Sequence, residues 1–204
     1  MNSAVSAAGT PALPSETSAV SVREALSGFA DTMADTLGAL LPQSDGPEGR
    51  LFDAMRYSAL GNGKFIRPYI LRTSARIFDV PETRYLRAGA AVEMVHAYSL
   101  IHDDLPAMDD DDMRRGRPSC HIAYDEATAI LAGDALLTLS FEVLAGADTH
   151  PDAQVRSDLV AALAARSGGG GMVGGQMIDL ESEHAAVDAD LIARLETMKT
   201  GALI

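Results

Sequence analysis

The chain has 204 residues, 47% of them hydrophobic and 22% charged, which is enough for one domain with a real core and argues against disorder. A net charge of −13 argues against nucleic acid or an anionic membrane as the main partner. The one cysteine, Cys120, excludes an intrachain disulfide and a cysteine-based zinc site, and suits a reducing cytoplasm.

Residues 1–20, MNSAVSAAGTPALPSETSAV, are small, polar and interrupted by proline, so they predict a mobile tail. They lack the charged start and apolar run of a signal peptide. From 21 to 204 the chain reads as one helical domain. Val22, Leu26, Phe29, Met33, Leu37 and Leu40 recur at helical spacing, and Pro42 ends that helix. A short helix is expected from Leu51 to Leu60. GNGKFIRP at 61–68 reads as a turn opening into a third helix, Tyr69 to Phe78. Pro81 starts a longer helix that carries Ala90 to His102. Pro106 then breaks the chain, because it lacks a backbone donor and disfavours a helical residue before it.

Asp125 to Leu144 predicts another helix, and Asp134 and Glu142 interrupt it too much for a membrane span. Asp152 to Arg166 is amphipathic. In SGGGGMVGGQ at 167–176 the glycines disfavour helix by roughly 1 kcal/mol each, so propensity predicts a loop. Its G-x-G-x-x-G match lacks the preceding strand that a dinucleotide site needs. Asp188 or Asp190 can cap a last helix through Leu191, Leu195 and Met198. No strand of period two and no internal repeat is found. The fold class is therefore all-α, a bundle of long helices.

Six of the ten residues from Asp103 to Asp112 are aspartates, and Arg114, Arg115 and Arg117 follow. Such carboxylates repel unless they are solvated or bridged by a cation. Most charge runs are solvated, but this one leaves an apolar helix. Asp103 and Asp109 are six apart, about 120° out of line on a straight helix, and the break at Pro106 would let both face one point. Carboxylates beside arginines suggest Mg²⁺ shared with a phosphate group. Lys64 and Arg67, three apart near a helix start, form a second candidate anion site. His102 reads as a packing or capping residue, His121 as a hydrogen-bonding residue near the loop, and His150 and His184 as surface residues. Gln176 and Asp179, three apart, either face a cavity or bond within their helix.

Together GNGKFIRP, EMVHAYSLIHDDLPAMDDDDMRRGRPSCH at 93–121, EATAILAGDALLTLSFEVL at 126–144, GGQMIDL at 174–180 and MKTGALI at 198–204 resemble the trans-isoprenyl diphosphate synthases. The resemblance implies the all-α isoprenoid synthase bundle, a homodimer, and Mg²⁺ as cofactor. It implies that Asp103 and Asp109 hold Mg²⁺ ions bridging to the diphosphate of an allylic substrate. Asp104 is a further candidate in the same acidic motif. Arg114, Lys199 and Thr200 would contact that allylic diphosphate. Lys64, Arg67, His96 and Arg115 would bind isopentenyl diphosphate. The product would be a short-chain isoprenyl diphosphate such as farnesyl diphosphate, with Tyr98 limiting its length. The glycine-rich segment is helical in this family.

The family also carries a second aspartate-rich motif, which does not occur before Ile204. Two readings stay open: a piece of an active enzyme, which is the expectation here, or a short subunit that binds substrate or a partner without catalysing alone. A terpene cyclase on the same fold would have no use for Lys64 and Arg67.

Overall fold

The computed structural model describes residues 21–61, 63–182 and 188–204, and the described chain is built from helices. In order they are α1 (Val22–Leu40), α2 (Gly49–Ala59), α3 (Ile66–Ile77), α4 (Glu82–Asp103), α5 (Cys120–Ala123), α6 (Glu126–Ala145), α7 (Ala153–Ser167), α8 (Met172–Ser182) and α9 (Ala189–Lys199). The boundaries follow local chemistry. At α1 the Ser21 hydroxyl accepts the Glu24 N–H at 3.2 Å, and the Glu24 carboxylate accepts the Ser21 N–H at 2.9 Å, a reciprocal capping box. Asp125 caps α6 and Asp152 caps α7. Asp188, not Asp190, caps α9, accepting the Leu191 N–H at 2.8 Å.

Helix α4 is the spine, packed against α1, α2, α3 and α6. Its buried face carries Ala90, Ala91, Met94, Val95 and Ala97, and α6 answers with Ala129, Ala132, Gly133 and Leu136. Small residues on both helices let the backbones approach. The tightest point is Gly133, where an added Cβ would lie 2.2 Å from His102 Nε2. The room so left admits His102, whose Nε2 sits 3.0 Å from the Ile130 carbonyl. Met33, Leu37, Met55, Met94 and Leu136 are fully buried, each contributing about 1.5–3 kcal/mol of transfer free energy. Among the described residues α6 alone has the length and apolarity to cross a membrane; here it is a core helix against α4.

Two expectations need correction. A two-stranded ribbon, β1 (Met113–Arg114) and β2 (Arg117–Pro118), pairs Met113 with Pro118 and Arg114 with Arg117. The turn between them has Arg115 at φ 51° and Gly116 at φ 78°. Positive φ at both central residues suits the twist of a tight hairpin. The glycine-rich segment, in turn, divides. Gly168 to Gly171 form the turn after α7, whereas Gly174 and Gly175 lie inside α8. There a Cβ on Gly175 would lie 2.3 Å from the Lys199 backbone nitrogen, so closeness to α9 outweighs the propensity cost. The tail at 1–20 and His184 lie outside the described residues.

Candidate active site

The acidic run is a bend. Helix α4 ends at Asp103, and the chain turns through Pro106 so that the Asp109 N–H donates to the Asp103 carbonyl at 2.9 Å. Both residues line one cavity of about 650 Å³. Tyr98, Met108, Arg114, Gln176, Lys199 and Thr200 also line it. Its polar end is thus acid, amide and ammonium, and Met172, Met177 and Leu180 make it apolar elsewhere.

The Asp103 side chain is 14% exposed, and partners from two other helices hold it. The Gln176 amide donates to Oδ1, and Lys199 Nζ stands 3.8 Å from Oδ2. Burial pushes its carboxyl up; Lys199 and Arg114 oppose that, while Asp109 and Asp104 add to it. Lys199 is also bonded to Asp179. Burial disfavours its ammonium, but the Asp179 bond and the acids around it leave its pKa raised. Gln176 and Asp179 therefore both bond across helices and not within α8.

Asp104 is separated from this pair. It is 2% exposed, follows the end of α4, and lies on the other side of the bend, bordering a small cavity with Cys120 and Ser119. Arg114 Nε donates to its Oδ1 at 2.8 Å, and Arg114 Nη2 bonds the same oxygen. That bond raises the Arg114 pKa. Asp104 serves as the buried partner of an arginine and leaves Asp103 and Asp109 as the two carboxylates facing the cavity. Among the described residues no three His, Cys, Asp or Glu side chains converge as a metal cluster. Two carboxylates suit Mg²⁺, which keeps few protein ligands and takes the rest from water and phosphate.

A second cavity of about 430 Å³ adjoins the first, sharing Arg67 and His96 with it. Lys64, Arg67, His96 and Arg115 line it together, as do Phe65, Ile66 and Glu93. Helix α3 opens at its edge with no side-chain cap, leaving backbone donors at the helix start. Gly63 fits the loop because a Cβ there would lie 2.8 Å from Arg115 Nη1. His96 is neutral: burial, then Arg67, Arg115 and Arg114, lower its pKa to about 3. Arg115 Nη2 lies 3.4 Å from His96 Nε2. Phe65, Asp110 and Arg115 all hold positive φ. Phe65 and Arg115 line the cationic cavity, so two of the four non-glycine residues with positive φ among the described residues fall there.

Of the other histidines, His121 Nδ1 lies 3.1 Å from Ser119 Oγ beside the ribbon, and His150 contacts Arg84 at 3.2 Å. Sequence reasoning missed Glu93. An acid within AAVEMVHA at 90–97 carries a signal only when its helix is known to be buried on that side; Glu93 is 4% exposed.

The architecture is the all-α isoprenoid synthase bundle. The chain belongs to the polyprenyl synthetase family, whose model matches residues 48–204. It is 49% identical over 154 residues to a farnesyl diphosphate synthase of Escherichia coli, covering 74% of this chain and 51% of the relative. It superposes on a crystal structure of an FPP/GFPP synthase from Zymomonas mobilis with a TM-score of 0.85 and 46% identity, over 88% of this chain and 65% of that one. A geranyltransferase from Legionella pneumophila gives a TM-score of 0.82 and 39% identity, over 88% and 64%. The chain spans about half the length of the curated relatives it matches.

Proposed function

We propose that this chain, a single all-α unit from 21 to 204, belongs to a prenyltransferase that condenses isopentenyl diphosphate with an allylic diphosphate and releases diphosphate. The observation that carries this reading is the pair of adjoining cavities, one with Asp103, Asp109 and Lys199, the other with Lys64, Arg67, His96 and Arg115. One protein surface so built can seat two diphosphate esters with their organic parts close together.

Asp103 and Asp109 are the residues that would hold Mg²⁺. Bound Mg²⁺ supplies neutralisation of charge on a diphosphate leaving group. Lys199, Thr200 and Arg114 are the groups assigned to the allylic diphosphate, where fixed positive charge favours breaking the C–O bond. Lys64, Arg67 and Arg115 hold the second diphosphate as charge-assisted donors. Neutral His96 adds a hydrogen bond without adding charge. That anchoring aims the double bond of isopentenyl diphosphate at the allylic carbon. Its π electrons form the new C–C bond as the allylic C–O bond gives its pair to the diphosphate. Loss of a proton then restores a double bond in a product one isoprene unit longer. The apolar walls at Met172, Met177 and Leu180 keep water from the cationic carbon.

Farnesyl diphosphate is the proposed product. Tyr98 lines the first cavity five residues before Asp103, roughly 7–8 Å along the helix. Its ring is nearly buried and meets His102 edge-on at 5.7 Å, so it is a firm stop for a growing tail. A homodimer is proposed through α6, where Ile130 and Leu131 are exposed. A reducing cytoplasm suits the free, buried Cys120.

The test is to incubate the complete gene product with labelled isopentenyl diphosphate, an allylic diphosphate and Mg²⁺. Extension to the farnesyl length is expected, and longer products from Tyr98→Ala. Absence of any extension would defeat the reading.

A further inference from the structure

Glu93 is a negative charge where a negative ligand is expected. It lies on α4 one turn before His96, in the wall of the cationic cavity. The groups facing it come from each element around that cavity: Lys64 from the loop before α3, Arg67 from α3, Arg115 from the ribbon turn, and His96 from α4 itself. Burial pushes the Glu93 carboxyl up, and Arg115 and Arg67 oppose this. His96 is already neutral and stays so in acid. Lys64, Arg67 and Arg115 supply the positive charge of this cavity. Glu93 is the one carboxyl among the described side chains lining this cavity.

A diphosphate entering the cavity brings several negative charges to the same two guanidiniums. The ligand then shares the charge of Arg115 and Arg67 with Glu93, so Glu93 loses part of what supports its ionised form. Repulsion from the ligand acts in the same direction. A buried carboxylate so placed relieves the conflict by binding a proton.

Resting on the reading of this cavity as the isopentenyl diphosphate site, we propose that Glu93 takes up a proton when a diphosphate enters, making occupancy of the cavity proton-linked. The proton moves from solvent to a Glu93 carboxylate oxygen and returns when the ligand leaves; no covalent bond of the ligand changes. By linkage, the ligand is held less firmly as pH rises. The carboxylate thus keeps a strongly cationic cavity from becoming a trap for diphosphate.

The experiment is calorimetric titration of isopentenyl diphosphate without Mg²⁺, in two buffers that differ in ionisation enthalpy. Wild type is expected to take up more protons than Glu93→Gln. At about pH 8 Glu93→Gln should bind about tenfold or more tightly than wild type, from removal of one charge near the ligand. The two affinities should converge as pH falls. Glu93→Asp keeps the charge and should retain the uptake. The ³¹P shift of the bound ligand reports its own protonation, so wild type alone decides should Glu93→Gln not fold. Equal uptake by wild type and Glu93→Gln overturns the proposal. So does weaker binding by folded Glu93→Gln at every pH, which would make Glu93 a prop for Arg67 and Arg115. If wild type does not bind at all, the assignment of the cavity has failed, and this inference fails with it.

Discussion

The two cavities are neighbours made in different ways. The acidic one is closed by distant chain: Asp103 at the end of α4 meets Gln176 of α8 and Lys199 of α9. The cationic one is assembled from α3, α4 and the ribbon, all between residues 64 and 115. Burial then acts on opposite charges. It raises the Asp103 carboxyl and lowers His96 to about 3, so burial in each cavity favours fewer charges than its sequence suggests. The lesson is that ligand charge is part of the design. A cation suits the first cavity and an anion the second.

The strongest way to break this comparison is at the acidic side. Asp103→Asn with Asp109→Asn should cut Mg²⁺-dependent prenyl transfer by about 10³-fold, in line with loss of a major electrostatic contribution, while isopentenyl diphosphate still binds without metal. Steady-state rates and calorimetry read the two halves separately. If the double variant keeps wild-type turnover, the first cavity has been misassigned. Next in size, Arg115→Met should weaken isopentenyl diphosphate binding by about 10- to 100-fold, the worth of charged hydrogen bonds, and leave the allylic diphosphate affinity almost unchanged. Equal losses for both ligands would show that the cavities are one site.

Gly133→Ala sharpens the contrast from outside. The new Cβ drives His102 aside, next to Asp103. We expect a loss of about 1–3 kcal/mol in chemical denaturation, with the acidic cavity impaired more than the cationic one. Unchanged stability would mean that α4 and α6 are less tightly apposed than described.

The smallest effect is in pH dependence without ligands. His96 has a folded pKa near 3, below its usual 6.5. The unfolded chain then binds more protons between those values, so this contribution is present above about pH 6.5 and is lost as pH falls toward 3. The slope is at most about 1.4 kcal/mol per pH unit. Asp103 works the other way. Its carboxyl is raised above 3.8, so its ionisation costs stability as pH rises through the folded value. Melting curves of His96→Gln should lose the first slope, and those of Asp103→Asn the second. A His96→Gln curve parallel to wild type would contradict the buried, neutral imidazole.

What the sequence discloses follows the range of the interactions. The Asp103 to Asp109 bend was legible because Pro106 and the charges lie within one short stretch. Lys64 and Arg67 were legible because three-residue spacing and a helix start are local signals. The helices were legible from apolar spacing, from Pro42 and Pro106 as stops, and from Asp188 as one of two cap candidates. The ribbon was not: its strands are two residues each, and its turn uses Arg115 where asparagine or glycine would announce positive φ. The α8 glycines misled because their compensation is the α9 backbone, some 24 residues on. Gln176 reaches Asp103 across 73 residues, a separation at which spacing says nothing about partners.

The hairpin carries a last consequence. Arg114 and Arg115 are adjacent in the chain, yet the first borders the acidic cavity and the second the cationic one. A left-handed residue at the start of a two-residue reversal is what sends consecutive side chains to separate destinations. The reversal therefore works as a points lever on a railway: inserting one residue before Gly116 would misroute both guanidiniums at once, although every amino acid now present would remain in the protein.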